Sequence, residues 1–136
     1  MVTLVLLLVM AVSAPQPSVT IEKPRSLKAT GGTCRIHDDG TLGVNIGPNA
    51  ALPILALTIG PGAAMAEVMH ANKAKFTGPG KYTNEMIALY LGRTALEDAH
   101  IGLGTVTIAA DGKSGKFALN DGTASGSFDC GAPPLK

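Results

Sequence analysis

Aromatic residues are scarce in this chain: three phenylalanines, two tyrosines and no tryptophan. The core must therefore be mostly aliphatic. Charge of one sign is scarce as well. With eleven basic and ten acidic residues interspersed, the formal net charge is +1, too little for the basic footprint of a nucleic-acid binder or of a protein drawn to anionic membranes. There are two cysteines and no Cys-x-x-Cys, which excludes the common redox and zinc spacings. No apolar run reaches the ~20 residues of a membrane span. No two histidines stand at ligand spacing, and no serine sits in a Gly-x-Ser-x-Gly elbow.

Glycine and proline are plentiful, at seventeen and nine residues. Together with many Val, Ile, Leu and Thr they suit short strands joined by tight turns. The apolar run Val2 to Val12 has the length of a signal-peptide core, so residues 1–14 are expected to be a secretory signal, with a buried first strand or an uncleaved anchor as the competing reading. Residues 15–33 carry Pro15, Pro17 and Pro24 among charges and few large apolar side chains, and read as a proline-rich linker. One domain is expected over residues 34–131, followed by a short tail, 132–136.

The clearest pattern lies in the C-terminal third. Val106, Ile108 and Ala110 alternate with Thr105 and Thr107, and Asp111-Gly112 and Asp121-Gly122 separate three alternating runs. This is a strong hairpin signal and predicts a three-stranded meander. Its arithmetic places Phe117 opposite Gly126 and Phe128 opposite Gly115, with Cys130 on the same face as the rings. Upstream, Leu42, Val44 and Ile46 share a face, and Cys34 and Ile36 share parity. Leu52 to Ile59 reads as a strand buried on both faces. Residues 84–91 fit strand slightly better than helix, and 63–74 fit either.

An early strand cysteine, Phe76-Thr-Gly-Pro-Gly-Lys-Tyr-Thr83, Gly104 through Phe117 and a terminal strand ending in Cys130 together resemble the small secreted proteins and lipoprotein antigens of actinobacterial, mycobacterial-type cell envelopes. The resemblance covers roughly residues 32 to 131. It implies a mainly β domain, a small antiparallel β-sandwich with one disulfide, in the cell envelope or secreted, and no common activity. Gly31-Gly-Thr-Cys34 lies far from the apolar run and lacks a lipobox context, so lipid anchoring is not expected.

Cys34 and Cys130 are read as that structural disulfide, in keeping with export. His37, His70 and His100 read as isolated side chains, so no metal and no cofactor is expected. Ser114 or Ser125 with His100 and Asp98 makes a hydrolase only on paper. Gly78-Pro-Gly-Lys81 and Gly112-Lys-Ser114 lack the first glycine of a phosphate loop. Asp38-Asp39-Gly40 and Asp111-Gly112 lack the spaced carboxylates of a calcium loop. What remains is the Ala- and Met-rich middle, where Met65, Ala66, Met69 and Met86 could wall an adaptable apolar surface. The leading expectation is a noncatalytic envelope or extracellular protein that binds a hydrophobic small molecule or an envelope protein. A small secreted enzyme or enzyme inhibitor without a recognisable motif is the alternative.

Overall fold

The computed structural model describes residues 15–61 and 74–134. Nine strands and no helix occur among them: β1 Ser18–Lys23, β2 Leu27–Thr30, β3 Gly32–Ile36, β4 Leu42–Ile46, β5 Leu55–Ile59, β6 Gly80–Tyr90, β7 Ala99–Ile108, β8 Ser114–Leu119 and β9 Ser125–Asp129. All pair antiparallel in one sheet of order β2-β1-β9-β8-β7-β6-β5-β4-β3.

The sheet nearly closes on itself because its two ends are consecutive pieces of chain. Only Gly31 separates β2 from β3. Its N–H donates to the Pro17 carbonyl on the β1 side (2.9 Å), and its own carbonyl accepts from Gly47 N–H beyond β4 (3.2 Å). Gly31 and Gly32 take φ of +103° and +94°, and a methyl on Gly32 would collide with the Asn45 carbonyl. Only glycine fits such a corner. The first half of the kinked segment thus extends the β1 ladder and the second half the β4 ladder. The Cys34–Cys130 disulfide, with Cα atoms 5.8 Å apart, fastens β3 to the residue after β9.

This single curled, barrel-like sheet replaces the two-layer sandwich that the resemblance implied. Alternation tells only that each strand has one inner face. Whether the inner faces belong to two sheets or to one curled sheet depends on what lies beside β1, and β1 lies between β9 and β2.

Residues 18–30 also differ from expectation: the proline-rich linker is instead β1 and β2, so the folded domain begins well before Cys34. Averaging over the segment hides its period of two, in which Val19 and Ile21 are 1% and 0% exposed while Ser18, Thr20 and Glu22 alternate with them. The prolines flank the strands without entering them. In β5 the apolar run is buried on one face only. Leu55, Leu57 and Ile59 point inward, and Ala56 and Thr58 lie on the outer face. The strand begins past Pro53, which cannot donate to a ladder.

The interior is filled by side chains from every strand. Phe117 lies opposite Gly126 and Phe128 opposite Gly115, as the alternation requires. A methyl on Gly115 would stand 2.7 Å from the Phe128 ring, and one on Gly126 2.9 Å from the Phe117 ring. The missing side chains make room for the rings. No helix among the described residues is long and apolar enough to cross a membrane.

Candidate functional site

Outward-facing residues of β4, β5 and β6 are mostly small. Gly43, Thr58 and Met86 follow one another across the strands, as do Ala56, Ala88 and Ile101 in the next row. The result is a recess of about 550 Å³ whose floor includes Ala56 and Ala88 and whose sides include Met86, Tyr90 and Ile101. Ala88 is only 8% exposed although it faces outward, whereas Ile101 is 49% exposed. An apolar trough with one prominent aliphatic wall is thereby presented to solvent.

The opposite end of the groove is polar. His37 and Asp39 come from the β3–β4 turn, and Thr58 joins them. Gly43 lets the imidazole lie against the sheet, since a methyl there would come within 2.9 Å of His37 Nε2. Asp39 is fixed by the turn it closes: Thr41 N–H donates to Asp39 Oδ1 (2.9 Å), which holds this carboxyl below its ordinary range. Groups of this kind can orient one polar end of a ligand while apolar walls cover the remainder.

A second recess, about 480 Å³, crosses the outer faces of β1, β9, β8 and β7. Ser18, Thr20, Thr107, Lys116, Ser127 and Asp129 line it. Its hydroxyls and charges are well served by water, so burying it offers little gain. The first groove is the stronger candidate for ligand binding.

Of the sequence candidates for an apolar surface, Met86 lines the groove. Met65, Ala66 and Met69, like His70, lie outside the described residues. His37 and His100 belong to different ends of the sheet, His37 in the β3–β4 turn and His100 beside Asp98 (Nε2 to Oδ1, 3.0 Å). No three His, Cys, Asp or Glu side chains come together as a metal site among the described residues. Ser114 donates to Asp111 (2.9 Å) at the β7–β8 turn, while Ser125 stands across from Ala118. The structure therefore does not assemble Ser114, Asp98 and His100 into one site. Gly78 to Lys81 simply leads into β6. Asp111 and Asp121 accept donors from their own turns, through Lys113 N–H and Ser114 for the first and Thr123 for the second.

Two inward polar side chains escaped the sequence reading. Glu85 is fully buried, and its Oε2 accepts from Gly60 N–H (3.1 Å). The register of β6 shifts between Tyr82 and Glu85, with Asn84 at φ +56°. This bulge turns both Tyr82 and Glu85 to the inner face. The Tyr82 hydroxyl donates to the Gly78 carbonyl (2.6 Å) and accepts from Thr77 N–H (3.0 Å), and its ring lies 5.5 Å from that of Phe76. Asn-Glu within an otherwise alternating run was the available signal, because Asn tolerates positive φ.

Comparison with protein-family models, curated proteins and solved structures finds no match for this chain.

Proposed function

We propose that this chain is an exported, noncatalytic binding protein of the cell envelope or extracellular space, and that the groove beside Met86 holds an apolar small molecule with one polar end. The observation that carries this reading is the pairing of an apolar trough, Ala56, Ala88, Met86 and Ile101, with His37, Asp39 and Thr58 at one end. A disulfide between distant cysteines supports an oxidising compartment, and residues 1–14 are read as the export signal. The actinobacterial envelope likeness supports the same setting. Within the sheet, β7 to β9 are read as the C-terminal meander.

The test is native mass spectrometry of protein secreted by its own host. Wild type should carry a small apolar adduct. Ala56→Trp should lose it while keeping the same melting temperature, because Ala56 faces outward and the indole would fill the trough without entering the core. Apo masses for wild type would reject small-molecule binding and favour recognition of an envelope protein through the surface around Ile101.

A further inference from the structure

The β1–β2 turn lies at one edge of the strand order and the β6–β7 loop near its middle, with β9 and β8 between them, yet one side chain connects them. Arg25, in the turn, donates from Nη1 to Asp98 Oδ2 (2.7 Å) and from Nη2 to the Leu91 carbonyl (2.9 Å). Both acceptors belong to the β6–β7 loop. That loop is closed at its base by Leu91 N–H donating to the Asp98 carbonyl (3.2 Å). Asp98, at φ +49°, presents its other oxygen to His100 Nε2 at 3.0 Å.

We propose that Arg25 is a strap drawing the β1–β2 turn across one mouth of the barrel, with Asp98 as its acid-releasable latch. A forked guanidinium with two acceptors on one closed loop fixes direction as well as distance. The strap matters because of what it holds. β2 has four residues and pairs only with β1, which makes it the end strand where the sheet is incompletely closed. Beside it in the sheet, Val19 and Ile21 of β1 pair with its Ala29 and Leu27 and are buried in the core. Releasing the turn loosens the strand that covers the seam and uncovers apolar interior there.

The groups that face the latch are Arg25 from the β1–β2 turn and His100 from β7, with Glu97 as its chain neighbour; Asp121 of the β8–β9 turn feels His100 in turn. Arg25 first, then His100, hold the Asp98 carboxyl below its ordinary range. The latch is therefore set at neutral pH and opens only as pH falls through that lowered value. Protonation removes the negative charge that Arg25 binds.

Amide hydrogen exchange on the full chain tests this. Arg25→Gln and Asp98→Asn should each speed exchange in Leu27–Thr30 and in the paired Ser18–Ile21 by about fivefold, leaving β7 to β9 unchanged. Fluorescence of the apolar dye anilinonaphthalene sulfonate should rise in both variants. Acidifying wild type should speed exchange in those same two segments, and in Asp98→Asn those segments should show no further acid step. Unchanged exchange, uniform acceleration across all strands in either variant, or an acid step in Leu27–Thr30 and Ser18–Ile21 that persists in Asp98→Asn would each overturn the proposal.

Discussion

At Phe117 and Phe128 the fit of the core depends on an absence across the strand. Each ring occupies the space that the opposing glycine leaves empty. Phe117→Ala and Phe128→Ala should each destabilise the protein by roughly 3 to 5 kcal/mol, through lost burial and the cavity left behind. Gly126→Ala should cost about 1 to 3 kcal/mol by overpacking the same space from the other side. Lys116→Ala, on the solvent side, should change stability by less than about 0.5 kcal/mol. Urea melts of the four variants provide the measurement, and equal effects at all sites would contradict this packing. These pairings were legible because parity is preserved between two Asp-Gly turns. Glu85 was not, since a single inserted residue in β6 reverses parity and leaves no compositional trace beyond Asn84.

At the scale of strands and turns, aspartates recur as connectors. Asp111 accepts from Lys113 N–H and Ser114, and Asp121 from the Thr123 hydroxyl and N–H. In each the leading bond, Lys113 N–H for Asp111 and the Thr123 hydroxyl for Asp121, holds the carboxyl below its ordinary value of 3.8. A carboxylate whose folded pKa is depressed contributes stability that is present above the unfolded value and is lost as pH falls through the folded one. The two hairpins should thus be insensitive to pH from neutrality down to the ordinary carboxylate range and weaken below it. Asp111→Asn with Asp121→Asn should lessen that acid dependence, as read by melting temperature between neutral and strongly acid buffer. The same elements show why legibility was uneven. β7 to β9 carry long alternating runs between recognisable turns. β1 and β2 are short and flanked by proline, and β1 is stabilised by β9, remote in sequence, so local composition understates them. β5 was visible as an apolar run, but its one-sided burial follows from neighbours that composition does not name.

For the molecule as a whole, closure is the governing feature. Cys34→Ser with Cys130→Ser should lower stability by up to about 4.7 kcal/mol, the chain-entropy figure for a loop of roughly 100 residues. The native protein should show no free thiols when denatured without reductant. The groove was the least legible part of the molecule. Met86 could be singled out from sequence, but His37, Ala56, Ala88 and Ile101 share a face only once four ladders have set their registers. One further consequence comes from the meeting of β1 and β9. Pro15 and Gly131 are so close that a methyl on Gly131 would collide with the Pro15 carbonyl. A short peptide could splice these two positions, and new ends could be opened at Gly112, where a methyl would meet open space. Such a circular permutant should fold with its disulfide formed. In the natural order, anything attached ahead of Pro15 or after Gly131 leaves the barrel from one shared corner, so a tether there would hold the protein by that corner alone.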